Sequence, residues 1–304
     1  MNRSLYSALA GVLFVNSALW ADAGQTNFVS PQEAVQSVKT ACQKNDSVAL
    51  LRIFEPEGKD IVDSGDASDD RDRRKLFVTL VNQKMTLLPD PANPSRVTLL
   101  IGSDEWPFPV PLVQTNGRWR FDSAQGREEI LARRIGSNEL AAIEICRGYV
   151  EAQADYAHHH QDHHVPVYAQ KIVSSPGKQD GLYWPASPGV AEADVPKGFA
   201  QAAAELVEGS TEPYHGYYFR ILKAQGPAAR GGAADYVVNG LMIGGHGLIA
   251  WPAKYGVSGV QTFIVNHDGA VYESHLGPNT AEAAKQVTVY NPDKSWSPVP
   301  SEHP

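Results

Sequence analysis

Five histidines crowd into seven residues at His158, His159, His160, His163 and His164, with Asp162 among them. On a helix, His159 and His163 share a face, as do His160 and His164. That i, i+4 spacing offers two imidazoles to one divalent metal, with zinc, copper or nickel the suited ions. His159, His160, His163 and His164 are therefore the candidate metal ligands. No Glu occupies the position a zinc-protease H-E-x-x-H needs, so hydrolysis does not follow. The same composition also describes a solvated connector, and both readings stand at this point. The acidic run Asp60, Asp63, Asp66, Asp69, Asp70 and Asp72 has hard oxygen ligands but lacks the order of a calcium loop. Arg71, Arg73 and Arg74 neutralise part of it, and carboxylates are favourable ahead of a helix. Gly231-Gly232 and Gly244-Gly245-His246-Gly247 fit neither phosphate-loop pattern. His246 has no G-x-S-x-G elbow to serve, so it reads as a satisfied, partly buried histidine. No catalytic residue and no cofactor site emerges.

Composition narrows the classes further. The chain has 304 residues, 26 Lys and Arg against 34 Asp and Glu, and a net charge of −8. Without a concentrated basic stripe, a nucleic-acid partner is not expected. Cys42 and Cys146 are the two thiols, too few for a disulfide framework. They read either as one disulfide or as two separate buried thiols. Residues 1–23 have the form of a secretory signal: Arg3, an apolar stretch from Leu5 to Leu19, and the small-residue site Ala21-Asp22-Ala23. The expected location is periplasmic or secreted, with no transmembrane segment after cleavage.

The elements that must position these groups are legible in outline. Ser30-Pro31-Gln32-Glu33 opens a helix with an N-cap serine and a proline at its first position. Helices continue through Leu50, Phe54, Leu76 and Leu80. The period then becomes strand-like over Arg96 to Ile101, Trp106 to Gln114 and Arg118 to Asp122, with a hairpin at Asn116-Gly117. Pro107, Pro109 and Pro111 suit an edge strand. A long helical stretch from Gln125 to about Tyr156 follows, with a break expected at Gly136-Ser137-Asn138. After a polar connection over 158–213, one more helix is expected near Phe199 to Val207. The final third is β-rich and ends in a hairpin turning at His267-Asp268-Gly269. Most of Trp106, Trp119, Tyr183, Trp184, Tyr217, Tyr218, Phe219 and Trp251 belong in the core, though some can line a glycan or peptide groove.

Several of these runs together resemble an exported bacterial family, domain of unknown function 2950. They are Trp106-Pro107-Phe108-Pro109-Val110-Pro111-Leu112, Asn116 to Asp122, and Ile135-Gly136-Ser137-Asn138-Glu139-Leu140. With them go Asp180-Gly181-Leu182-Tyr183-Trp184-Pro185, His215-Gly216-Tyr217-Tyr218-Phe219-Arg220, and the stretch from Ala250-Trp251-Pro252-Ala253 to His267-Asp268-Gly269. The family carries no activity to transfer. In shape, the first part is similar to NTF2-like or cystatin-like domains, and the second to pilin-like globular heads.

The expected fold is α+β: N-terminal helices on a curved antiparallel sheet, then a long helix on a second antiparallel sheet. The expected divisions are residues 1–23, 24–124, 125–290 and a flexible tail over 291–304. The expected function is a non-catalytic binding or assembly module of the cell envelope, with another envelope protein or polymer as partner. The alternatives are a periplasmic enzyme or ligand-binding protein using a pocket in the N-terminal cone, and a metal-binding protein built on the histidine tract.

Overall fold

The computed structural model describes residues 25–63, 67–159, 165–205 and 213–300. The chain divides into two compact units, Met1–Glu129 and Ile130–Pro304. Its fold is α+β.

In the first unit, α1 (Pro31–Gln43) starts where the Ser30 hydroxyl accepts from the Glu33 N–H at 3.1 Å. Glu33 reaches back to accept from the Val29 N–H at 2.7 Å, so two orphan donors are satisfied together. Asp46 caps α2 (Ser47–Phe54) in the same manner, accepting from the Ala49 N–H. A short α3 (Lys59–Val62) and α4 (Ala67–Gln83) complete the helical layer. The sheet contains β1 (Met85–Asp90), β2 (Asn93–Ile101), β3 (Trp106–Pro107), β4 (Leu112–Thr115) and β5 (Arg118–Phe121). Its order is β1-β2-β4-β5, all antiparallel, with β3 also paired to β2. The expected strand from Trp106 to Gln114 is split into β3 and β4. Prolines 107, 109 and 111 have no N–H to give the ladder, so pairing lapses between them. At the β4–β5 turn, Asn116 and Gly117 take positive φ of 51° and 75°, the I′ geometry that Asn-Gly favours.

The interior of this unit is filled by rings. Phe121 lies 5.0 Å from Phe54 and 6.3 Å from Phe108, and Phe108 lies 5.3 Å from Phe77. Leu99, Ile101, Val110 and Leu112 complete that core.

The link to the second unit is α5 (Ser123–His159), one uninterrupted helix. The expected break at Gly136-Ser137-Asn138 does not occur. Asn138 does not cap a new helix; its side-chain amide donates to the Ser258 carbonyl at 2.8 Å. Gly136 stands in open space and costs the helix only its propensity.

The second unit adds α6 (Lys197–Glu205), β6 (Tyr217–Leu222), β7 (Ala224–Gln225), β8 (Ala234–Asp235), β9 (Val237–Val238), β10 (Leu241–Met242), β11 (Gly247–Pro252), β12 (Thr262–Asn266), β13 (Tyr272–Ser274), α7 (Thr280–Gln286) and β14 (Ser297–Pro298). The main sheet runs β14-β13-β12-β11-β6 and is antiparallel throughout. Every residue of β12 is buried, so this strand is covered on both faces. Phe263 and Val265, with Leu248 and Ala250, pack with Ala142, Cys146 and Tyr149 of α5. Ile264 and Ile249 point the other way, into a second core with Leu222, Ala284 and Tyr290.

Two expectations are corrected in this unit. Residues 291–300 are not a flexible tail: β14 pairs with β13, the Val299 N–H donates to Val271, and Ser274 Oγ donates to the Ser295 carbonyl. The prolines there confine β14 to a two-residue edge strand, and its neighbours Trp296 and Val299 pack against the cores. The long connection is also less polar in effect than in composition. Ala169, Leu182, Tyr183 and Ala193 all enter the α5 core.

Cys42 and Cys146 are free thiols, each within a different unit's core. Burial pushes the Cys42 thiol up to about 11 and the Cys146 thiol up to about 12.

Candidate functional site

Strand β6 is the edge of the main sheet, and its free side is only partly dressed. The register pairs Leu222 with Gly247 and Tyr217 with Pro252, and the Ala253 N–H donates to the Gly216 carbonyl at 2.8 Å. In an antiparallel ladder the bonded residues alternate. Tyr218, Arg220 and Leu222 therefore turn their backbone groups toward β11, while Tyr217, Phe219, Ile221 and Lys223 turn theirs outward. Tyr214 closes one end of this edge, exchanging both backbone bonds with Tyr217 at 2.9 and 3.0 Å. Tyr236 closes the other by donating to the Lys223 carbonyl. Between these closures, Phe219 and Ile221 have no backbone partner among the described residues.

A groove of about 630 Å³ lies along that stretch, walled opposite by residues 170–175. Phe219, Ile221, Ile172 and Val173 are half-buried and pack on the α5 core, giving the groove an apolar floor. Lys171 is held by Asp180 at 2.8 Å, and Lys223 donates to Gln170 Oε1 at 3.1 Å. The Asp180 carboxyl lies well below the usual carboxylate range, held there by Lys171 and by the Ser175 N–H and hydroxyl. On the far face, the Arg220 guanidinium donates to the Ala284 and Val287 carbonyls at the end of α7 and lies over Trp251. A cation is favourable at a helix C-terminus, so Arg220 fixes the strand against α7.

A second concavity, of about 330 Å³, lies at the C-terminal end of α5 and is lined by Val150, Ala154, Ala157, His158, Pro166, Tyr168, His246 and His267. His246 is only 3% exposed. Three rings box it edge-on: Tyr168 at 4.7 Å, Tyr149 at 5.3 Å and His267 at 6.0 Å. Burial, with His267 nearby, pushes the His246 imidazolium down to about 3, so the ring is neutral at neutral pH. Its Nδ1 is buried and has no hydrogen-bond partner among the described residues. The expectation of a satisfied histidine is thus corrected.

Of the four expected metal ligands, His159 ends α5, and its Nδ1 lies 2.8 Å from the Asp155 carbonyl. His160, His163 and His164 lie outside the described residues. Among the described residues, no three His, Cys, Asp or Glu side chains stand together as a ready metal-ligand set. In the acidic run, Asp60 lies 3.4 Å from Arg127, and Asp72 pairs with Lys75. Neither the β6 groove nor the pocket that His158, His246 and His267 line was found in the sequence. These histidines are separated by 88 and 21 residues, and only the register of β11 on β12 brings the last two together.

These features describe a two-unit α+β protein whose open groove and histidine pocket both belong to its second unit. The chain belongs to the family described as Protein of unknown function (DUF2950), whose model matches residues 25–299. No curated protein and no solved structure matches the chain. The family motifs turn out to be largely architectural. Asp180 to Trp184 pins the wall of the groove, and Tyr217 to Arg220 is the edge strand itself.

Proposed function

We propose that the chain is an exported, non-catalytic binding module of the bacterial cell envelope, and that its second unit holds an extended segment of a partner protein. The observation that carries this reading is the open backbone of Phe219 and Ile221 beside an apolar groove. A peptide added there gains main-chain hydrogen bonds from the edge and burial from the floor. Natural edge strands are usually blunted by charges, prolines or a covering loop, and this two-residue window is flanked by closures but not itself closed among the described residues. The interior of the first unit is packed with phenylalanine rings, which favours a partner surface over a ligand cone. Among the described residues, no helix is long and apolar enough to cross a membrane.

The test is Ile221→Pro, which deletes one outward N–H and leaves the bonds to β11 in place. Tagged protein of both forms is incubated with the producing cell's envelope fraction, and amide exchange is followed at Phe219 and Ile221. The expected result is a partner held by the unaltered chain, protecting both amides, and lost with Ile221→Pro while that variant, though less stable for its lost packing, still melts cooperatively. Equal capture by both forms, or no protection of the two amides, overturns the reading.

A further inference from the structure

The pocket around His246 presents a different chemistry from the groove. A buried polar atom without a partner costs roughly 1–3 kcal/mol, and such atoms are rare in folded proteins. The two polar side chains behind the ring, Tyr149 and Gln153, are already engaged. The Tyr149 hydroxyl donates to the Gly247 carbonyl at 3.0 Å and accepts from Gln153. Gln153 spends its remaining capacity on Ala169, donating to its carbonyl and accepting from its N–H, each at 2.8 Å. That clamp sets the chain so that Tyr168 lies across the His246 ring. Tyr149 and Gln153 are thus satisfied without His246, whose ring lines a concavity together with His158 and His267.

The donor set specifies the ligand. Among the described residues the lining holds three imidazoles and no carboxylate or thiolate, with Val150, Ala154, Ala157 and Pro166 as its apolar floor. Calcium and magnesium demand oxygen ligands, whereas neutral imidazole suits zinc, copper and nickel. A metal–nitrogen bond of about 2.0–2.1 Å places each ring centre on the order of 3 Å from the ion. Two rings on one tetrahedral ion therefore have centres about 5 Å apart; those of His246 and His267 are separated by 6.0 Å, so a shift of about 1 Å by one ring closes the pair onto an ion. His267 is exposed in the turn after β12, so it can turn toward an arriving ion at little cost.

We propose that the pocket formed by His246, His267 and the adjoining His158 binds one first-row divalent cation of the zinc, copper and nickel group. The ion takes two imidazoles from His246 and His267. His158, on the last turn of α5, lines the same pocket. This site is separate from the expected His159/His163 and His160/His164 pairs, and the experiment must separate them.

The measurement is calorimetric titration of the chelator-treated full chain with Zn²⁺ or Ni²⁺ alone. The background carries His159→Ala, His160→Ala, His163→Ala and His164→Ala. The expected result is one ion per chain in that background, with affinity reduced at least tenfold by His267→Gln or His246→Gln. His267 is exposed, so His267→Gln reads out metal binding without a folding penalty. A Zn²⁺-dependent rise in melting temperature should accompany binding and vanish with either variant. Loss of all binding in the tract-free background, or binding indifferent to His267→Gln, overturns the proposal.

Discussion

The Glu139 carboxylate accepts from two successive backbone donors, Val260 N–H at 2.8 Å and Gln261 N–H at 3.0 Å. One side chain on α5 thereby fixes the entry of β12, some 120 residues further along. Glu139→Ala should cost about 1.5–3 kcal/mol, the range for hydrogen bonds to a charged group. Glu139→Gln, which keeps one acceptor oxygen, should cost less. Denaturant unfolding of the two variants checks the order; equal losses would mean that the carboxylate matters only as bulk.

Gly259 presents a steric case. A Cβ there would stand 2.1 Å from the Tyr217 hydroxyl and 2.6 Å from its ring. Tyr217 is fully buried, and its hydroxyl donates to the Gln261 carbonyl, so it cannot swing aside freely. Gly259→Ala should therefore destabilise by about 1–3 kcal/mol, as overpacking does. Thermal melting would show it, and an unchanged midpoint would refute the close approach.

Ile264 is wholly buried in the core that contains Ala284 and Tyr290. Ile264→Ala should cost about 2–5 kcal/mol, transfer loss plus cavity. Gly269 also lies in this hairpin, with a φ of 80° and open space around it. Gly269→Val should cost on the order of 1–2 kcal/mol of left-handed strain alone. A smaller loss at Ile264 than at Gly269 would contradict the packing.

The depressed His246 titration has a pH signature. In the unfolded chain the ring protonates near pH 6.5, while in the fold it resists down to about 3. Between those values the unfolded state binds more protons, so stability falls as pH falls. With chelator present, the melting midpoint should drop between pH 6.5 and 4.5, at up to about 1.4 kcal/mol per pH unit. His246→Gln should flatten that slope. A variant with the same slope would assign the effect to other groups.

Both thiols should be inert in the native protein. Cys146 is completely buried, Cys42 is half-buried, and both are displaced toward the protonated form. Alkylation at pH 8 should modify neither within minutes, and both once the chain is denatured. Identical gel mobility with and without reductant is expected as well.

Local signals were legible wherever a few adjacent residues decide the outcome. The Ser30 cap, the Asn116-Gly117 turn and the Asp268-Gly269 turn are all set within four residues, and the structure has each. The α5 break was misread because Asn138 carries the composition of a cap, while its partner, Ser258, is 120 residues away. Helix α7 went unseen since Thr280–Gln286 is only two turns long and shows two buried residues, Thr280 and Ala284. The His246 pocket was invisible for a related reason. Whether a histidine is satisfied depends on which neighbours are already bonded, and Gln153's commitment to Ala169 is a tertiary fact.

The double-sided burial of β12 also bears on the order in which the chain can become safe. Its Phe263 face needs α5, which is made before it; its Ile264 face needs Ala284 and Tyr290, which are made after it. A chain grows from its N-terminus, so that second face stays bare until Ala284 and Tyr290 have emerged. During that interval the molecule exposes a flat apolar sheet, the kind of surface that aggregates. Truncation after Gly277 should consequently yield insoluble protein rather than a smaller stable core. A holdase that keeps the chain extended until synthesis ends would remove the hazard.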